Sequence, residues 1–421
     1  MTAPPVGAAM VAVGIVALEF AAAVTTFVSS TLLPTVARDL HAHGHLGLLL
    51  AGSILGLFVA LPLAARIVHG IGTARTLTVG LVAYVAGAVV AATSRSPVVF
   101  AAGQFVGGFA GGLLAVFGIS SVIRHLDYRL RIRVIAASSA MWILPALVGP
   151  AATLALEHAF GWRWTLLLPM PIVLIGRLLV ARVVRADDAG EGRPRPLGRT
   201  LLVPIGVAAL MFGTSWWPVV GAVIAVAGVS TIMPAGTVRL ARGVPAALGA
   251  MTLFATGYFG ADSLITVLLT DSYHTSLARA AIVLSAAPLA WAVTSLLVPR
   301  IVRDGRRPPA ALGLALAACG VTTLAVTLLV STSFVVALVA WTVGGIGIGL
   351  AYPGLYLICT STDRATELDA TELATAVITA EAFGALLGRA TGGALIVASP
   401  VLTYGLFALF LFAAAAACRR T

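Results

Sequence analysis

Long apolar stretches alternate with short polar ones along nearly the whole chain. An apolar run of about 18 residues is long enough to cross a bilayer as an α-helix. Fourteen candidate runs are found, at residues 8–33, 46–68, 75–93, 98–121, 134–156, 163–184, 200–215, 217–234, 246–269, 278–299, 310–330, 334–358, 373–397 and 401–418. This pattern predicts an all-α membrane protein with fourteen transmembrane helices.

The seventh and eighth runs are short, and they meet at Trp216, Trp217 and Pro218. If only one of them spanned the membrane, the Arg-rich segment 300–307 would move to the outer side. Either both therefore span or neither does. The alternative to fourteen helices is twelve helices plus a re-entrant hairpin.

The composition fits a protein whose main solvent is the bilayer. Hydrophobic residues make up 60% of the chain and charged residues 10%, whereas soluble proteins carry about 25% charged residues. All 26 basic residues are Arg, which excludes a Walker A phosphate loop and a lysine Schiff base. The three Cys residues are far apart and indicate neither a disulfide framework nor a metal site.

The Arg residues are distributed unevenly between the two sides. With a cytoplasmic N-terminus, 21 of the 26 fall on the cytoplasmic side, among them Arg177, and Arg389 lies within a helix. The remaining four fall outside: Arg38, Arg95, Arg163 and Arg279. By the positive-inside rule this asymmetry predicts a plasma-membrane protein with both termini in the cytoplasm. It also explains the net charge of +11 without a nucleic-acid partner.

Two short segments recur at nearly one offset. Residues 106–113 resemble 343–350, and residues 66–68 recur as 300–302. Repeats at equivalent places predict two parallel six-helix halves, an arrangement in which transporters hold the substrate between the halves. We expect the halves at 1–184 and 246–421, with a linker and two inserted helices at 185–245.

Four segments resemble the major facilitator superfamily, and in particular its fourteen-helix drug:proton antiporter branch. Residues 65–75 are similar to the family's loop motif between helices two and three. His69 stands where that motif usually has an Asp. Residues 145–150 resemble the Gly-Pro antiporter motif of helix five. Residues 160–164 and 31–40 are similar to the entry to helix six and to the end of helix one. The family's helix-four Arg is absent, and Gln104 lies where it is expected.

The resemblance implies a proton-coupled exporter of small amphipathic or drug-like compounds that works by alternating access. It implies a monomer with a small-molecule substrate and protons as partners, and with no cofactor. The motifs imply a gating loop with Arg66, His69 and Arg75. They imply a substrate cavity with these residues: Gln104, Pro145 and Pro150.

Three acids lie well inside apolar helices: Glu19, Asp262 and Glu381. An acid at such a depth is costly and normally faces a cavity or a partner. An apolar environment also favours the protonated carboxyl group. We therefore interpret all three as candidates for proton coupling, although each is also consistent with a purely structural hydrogen bond.

Asp262 and Arg389 each lie 16 residues beyond the predicted cytoplasmic start of their helices. At 1.5 Å per residue this is a depth of roughly 24 Å for both. Opposite charges at one depth predict an ion pair, either static or broken during transport. Contact between these two helices is not encoded in the local sequence.

Two other functions remain open. The same fold serves a lipid or lipid-precursor transporter, or a nutrient symporter, although a chain with no Asn and a single Gln argues against sugars. A membrane enzyme or receptor is the third interpretation. The sequence shows no clustered catalytic residues and no soluble sensor domain to support it.

Overall fold

The computed structural model describes residues 6–42, 46–181, 201–212, 216–301, 309–361, 369–396 and 398–421. These residues are helical apart from short connections and contain no strand. The first nine helices are α1 Val6–Asp39, α2 Leu46–Ile71, α3 Thr73–Ala92, α4 Pro97–His125, α5 Tyr128–Ala140, α6 Ile143–Leu167, α7 Met170–Ala181, α8 Leu202–Phe212 and α9 Trp217–Ile232. The next six are α10 Val244–Val267, α11 Leu277–Ile301, α12 Ala310–Val330, α13 Phe334–Cys359, α14 Ala370–Leu395 and α15 Pro400–Ala417.

The helices form two compact units. The first unit contains Met1–Leu130, Leu144–Ile232 and Thr362–Thr375, and the second contains Arg131–Ile143, Met233–Ser361 and Ala376–Thr421. In the first unit α4 packs on α2 and α3, and α1 packs on α7. In the second unit α13 packs on α11 and α12, and α15 packs on α10 and α12. The expected division into halves at 184 and 246 stays a prediction.

A hydrogen bond in each unit joins segments that are far apart in the chain. In the first unit the Arg124 guanidinium donates to Thr371 Oγ1 at 3.2 Å. In the second unit the Arg131 guanidinium donates to the carbonyl oxygen of Thr360 at 3.2 Å. Each bond therefore fixes the beginning of one long apolar segment to a residue more than 200 positions away.

The described residues contain twelve helical segments that are long and apolar enough to cross a membrane. The first-choice count of fourteen is not supported, because α8 has 11 residues and α9 has 16. At 1.5 Å per residue even α9 spans only about 24 Å, less than a hydrocarbon core of about 30 Å. The twelve-helix alternative, with a short helical pair between the halves, fits the structure.

Close backbone contact holds α8 and α9 together. A Cβ atom at Gly206 would collide with the backbone of Ala225, and one at Gly228 would collide with that of Val203. The pair also packs on α2 within the first unit. Small residues permit this approach between apolar helices, where lipid provides no hydrophobic driving force for association.

The first copy of the glycine repeat lies at the contact between α4 and α2. A Cβ atom at Gly108 would lie closer than 3.0 Å to the backbone of Ser53, and one at Gly112 would collide with Ala60. A Cβ atom at the neighbouring Gly107 would meet no atom within 4 Å. The repeat therefore contains glycines that the packing requires beside glycines that it does not require.

The second copy has the same role in the second unit. A Cβ atom at Gly345 of α13 would collide with the backbone of Ala287 in α11, and one at Gly349 with that of Trp291. Gly344, the counterpart of Gly107, again has open space around it. Both copies therefore preserve one helix–helix contact.

The fifth apolar run, at residues 134–156, is divided between two helices. Helix α5 ends at Ala140, and α6 starts after a turn at Met141 and Trp142. This turn lies four residues before Pro145, whose ring clashes with the carbonyl group at that position and whose nitrogen has no hydrogen to donate to it. Helix α6 then kinks at Gly161, which has a φ of 77°, a conformation that favours glycine.

A polar cluster joins three chain segments beside this kink in α6. Arg163 forms a 2.9 Å ion pair with Asp39 and donates to the carbonyl oxygen of Ser94 at 3.1 Å. Trp162 donates to the same Asp39 carboxylate at 3.1 Å and lies under the Arg163 guanidinium. The end of α1, the connection between α3 and α4, and the part of α6 after Gly161 therefore meet in the first unit.

The glycine contact between α2 and α4 gives a direct test of packing. We expect Gly108→Ala to lower the free energy of unfolding by about 1–3 kcal/mol, because a rigid backbone cannot make room for the methyl group. Gly107→Ala is the matched control and should have little effect. Thermal unfolding of the detergent-purified protein measures both, and equal stability of the two variants would contradict the contact.

Candidate functional site

A cavity of about 120 Å³ lies within the first unit. That volume is enough for several water molecules. Residues of α1, α3, α4 and α7 line it: Ile15, Leu18, Glu19, Ala22, Tyr84, Gly111, Leu114, Ala115, Gly118, Ile119, Val173 and Arg177. Glu19, predicted from its depth in the first apolar run, is thus a cavity residue.

Arg177 brings a positive charge to the same cavity. Its side chain is 8% exposed, and one guanidinium nitrogen donates to the carbonyl oxygen of Leu114 at 3.0 Å. Its charge interacts with Glu19 and with Tyr84. The Nε atom is buried and has no hydrogen-bond acceptor among the residues that the structure describes, while the side chain as a whole lines the cavity.

Arg177, which the charge pattern assigns to the cytoplasmic side, is also buried. It lies near the end of the apolar span Ala152–Leu179, and its side chain is 8% exposed. The signal for its burial was present, because residues 173–176 and 178–180 on both sides of it are apolar or Gly. Counting charges by side concealed it, since Arg177 is near the end of its run.

Tyr84 extends the polar cluster along α3. Its hydroxyl group lies 3.4 Å from Thr25 Oγ1, with either group able to donate, and Thr25 Oγ1 donates to the carbonyl oxygen of Ala21 at 2.8 Å. Thr25 is six residues beyond Glu19 on the same helix. Four polar side chains are therefore grouped at or next to the cavity: Glu19, Arg177, Tyr84 and Thr25.

In the second unit the helices that carry Asp262 and Arg389 are in contact. A Cβ atom at Gly388 of α14 would collide with Gly260 of α10, and these glycines are neighbours of the two charged residues in the chain. The charges of Asp262 and Arg389 interact. Asp262 also lies close enough to the Tyr258 and Tyr404 hydroxyl groups to act on them electrostatically.

Glu381, the third predicted acid, lies on α14 beside an aromatic side chain. The Tyr352 hydroxyl group lies 3.1 Å and 3.2 Å from the two carboxylate oxygens, to which it donates. Glu381 is partly buried. The structure thus places one acid, Glu19, in the cavity of the first unit and two, Asp262 and Glu381, in the second unit.

The other predicted site residues whose side chains the structure describes are not among those that line the cavity of the first unit. Arg66 is partly buried in α2 and Arg75 is exposed in α3, while the side chain of His69 lies outside the described residues. Gln104 packs near Gly52 of α2, and Pro145 is buried at the start of α6. Pro150 lies inside α6, and its side chain is also outside the description. Their gating and substrate roles stay predictions.

The sequence also matches a known family of membrane transporters, in agreement with the fold. The Major Facilitator Superfamily matches residues 15–370, and the chain belongs to this family of membrane transporters. It is therefore a multi-pass membrane protein. The match does not distinguish the fourteen-helix antiporter branch.

Curated relatives include drug exporters at low identity. A probable multidrug-efflux transporter of Mycobacterium tuberculosis is 28% identical over 205 residues, which cover 49% of this chain and 43% of the relative. A multidrug resistance protein B homolog of the same bacterium is 26% identical over 248 residues, 54% of this chain and 46% of the relative. The chain thus matches less than half the length of these relatives.

Solved structures confirm the fold alone. The human organic anion transporter MFSD10 has a TM-score of 0.72 at 17% identity, covering 98% of this chain and 100% of that one. The fucose:proton symporter FucP of Escherichia coli has a TM-score of 0.68 at 14% identity, covering 97% and 98%. At these identities the shared architecture carries no information about substrate.

The charge interaction in the cavity gives a stability test. We expect Arg177→Met to lower the free energy of unfolding by about 1–3 kcal/mol, because it removes the hydrogen bond to the carbonyl oxygen of Leu114 and the positive charge that interacts with Glu19. The double variant Glu19→Gln, Arg177→Met should lose less than the sum of the single losses. Arg75→Met, at an exposed position, is the control. Strictly additive losses in denaturant unfolding would show that the two charges do not depend on each other.

Proposed function

We propose that the protein is a proton-coupled exporter of small amphipathic or drug-like compounds that works by alternating access in the plasma membrane. The observation that carries this proposal is the shared cavity of Glu19 and Arg177. The names of two relatives, a probable multidrug-efflux transporter and a multidrug resistance protein B homolog, support the substrate class. The Arg distribution supports cytoplasmic termini, and we propose that the protein works as a monomer.

The cavity provides a physical basis for coupling. With Glu19 ionised, its negative charge balances that of Arg177. When Glu19 takes up a proton, the cavity retains the uncompensated positive charge of Arg177. A change of one unit of charge in an apolar environment shifts electrostatic energies strongly. Protonation therefore disfavours a cationic compound nearby, and the proton and the substrate compete, as antiport requires.

The remaining predicted residues have supporting roles in this proposal. Asp262 and Glu381 are further proton carriers, and Arg389 interacts with Asp262 during the cycle. Arg66, His69 and Arg75 belong to the gating loop. The substrate cavity includes Gln104, Pro145 and Pro150.

Transport in inverted membrane vesicles tests the role of Glu19. With an imposed proton gradient, wild-type protein should accumulate at least one compound of a panel of fluorescent aromatic dyes. Glu19→Gln should reduce accumulation to the level without a gradient, because a neutral amide cannot take up the proton. Glu157→Gln, an acid in α6 of the same unit, is the control.

Two results of that assay bear directly on the mechanism. Loss of gradient-driven uptake in Glu19→Gln alone supports it. If Glu19→Gln accumulates the dye as well as wild type with the same pH dependence, Glu19 does not couple protons to transport.

A charge exchange tests the second pair. Asp262→Arg and Arg389→Asp should each abolish gradient-driven dye uptake, because each places two like charges close together. The combined variant restores opposite charges and should recover part of the uptake. Recovery no better than that of either single variant, at equal expression in the membrane, would rule out a functional pair.

A further inference from the structure

Four exposed arginines lie at one end of a packed helix pair in the second unit. Helices α10 and α15 pack on each other. The turn 233–243 precedes α10, and residues 418–421 follow α15. Each of these two segments contains two exposed arginines and no acidic residue. We call the four residues the basic patch: Arg239, Arg242, Arg419 and Arg420.

Two hydrogen bonds join the two segments of the basic patch. The Gly243 N–H group donates to the carbonyl oxygen of Arg420 at 3.0 Å. The Arg420 guanidinium donates in turn to the carbonyl oxygen of Leu240 at 3.4 Å. Arg242 directly precedes Gly243 in the chain, and Arg239 directly precedes Leu240. The two bonds therefore bring together arginine-bearing segments that are about 180 positions apart.

The turn that carries Arg239 and Arg242 is held in place by its own contacts. N–H groups within the turn donate to carbonyl oxygens of the same turn. Leu240 has a φ of 50°, which is costly for a bulky side chain and persists only where the surroundings enforce it. Its side chain packs over Gly249 of α10, where a Cβ atom would collide with it. The arginines of the turn are thus attached to a fixed backbone.

The basic patch lies where two membrane spans end. The span Val244–Ser272 begins directly after the turn, and the span Pro400–Arg420 ends within the patch. Val238, beside Arg239 in the turn, is 77% exposed. Arginines together with an exposed apolar side chain are typical of a surface that touches the boundary between lipid headgroups and acyl chains. The charge pattern predicts that this surface faces the cytoplasmic leaflet.

From these features we propose that the basic patch binds the headgroup of an anionic phospholipid in the cytoplasmic leaflet. Guanidinium groups match the geometry of phosphate and donate paired hydrogen bonds to it. Like charges in adjoining segments repel one another, and a bound anionic headgroup relieves this repulsion. The positive-inside rule accounts for arginines anywhere in a cytoplasmic segment, whereas it does not require two distant segments to be bonded together.

Competition binding to the detergent-purified full chain tests the proposal without any transport. The probe is phosphatidylglycerol with a fluorescent label on its acyl chain. Unlabelled phosphatidylglycerol should displace the probe about tenfold or more effectively than phosphatidylcholine of the same acyl chains, because several arginines act on one negative headgroup. Equal displacement by the two lipids would overturn the proposal. Displacement by inorganic phosphate at the same concentration would show a free-anion site and overturn the lipid assignment.

Variants locate the binding at the basic patch. The double variant Arg239→Gln, Arg242→Gln should weaken phosphatidylglycerol binding about tenfold. The double variant Arg239→Lys, Arg242→Lys keeps the charge and should lose clearly less. The matched control is Arg95→Gln, Arg133→Gln, which removes the same charge at two other exposed arginines and should bind as wild type does. Equal weakening in this control would show that net charge, not the patch, governs binding.

Thermal unfolding gives a second measure of the same binding. Phosphatidylglycerol should raise the unfolding midpoint of the wild type more than phosphatidylcholine does, because a ligand of the folded chain stabilises it. The Gln double variant should lose most of this difference, and a wild-type response would contradict the patch. If that variant does not fold, Arg419→Gln, which leaves both joining bonds in place, decides the question. None of these readouts involves dye export, so they stand or fall separately from the proposed coupling at Glu19.

Discussion

Close contact between helix backbones is the interaction on which each unit depends. Within a bilayer, burying apolar side chains yields no hydrophobic gain between helices, so contact area and small residues must provide the association. Gly108 against α2 and Gly345 against α11 supply it at equivalent places. Larger side chains at these positions would push the helices apart and widen the spaces in which the polar residues lie. These backbone contacts therefore set the spacing of helices that carry the charged and aromatic side chains.

Charge inside the apolar units is confined to a few residues, and the structure groups them. Glu19 shares its cavity with Arg177, and Asp262 interacts with Arg389. An isolated charge at such depth would be expensive, and an opposite charge nearby reduces this cost. The helices that carry these opposite charges differ between the units: α1 and α7 in the first unit, and α10 and α14 in the second. The glycine repeat therefore forms equivalent helix contacts in both units, whereas the charged residues are placed differently in each unit.

The sequence predicted the features that depend on local composition. Apolar runs located the twelve spans, the glycine repeat identified equivalent helix contacts, and depth in a run identified Glu19 and Asp262 as residues to examine. It could not reveal which helices touch, because that depends on packing between residues far apart in the chain, as at Gly260 and Gly388. It also gave too many spans, since hydropathy alone does not distinguish a spanning helix from a shorter one. The stacking of Tyr258 on Trp341 could not be predicted for the same reason, because the two rings come from α10 and α13.

The short helices α8 and α9 are held mainly by their own glycine contacts, with α2 as their support in the first unit. An element that carries its own packing surface can be inserted between two repeated halves without redesigning either of them. A segment exchanged or tagged at this pair would therefore have to preserve the face of α8 that packs on α2.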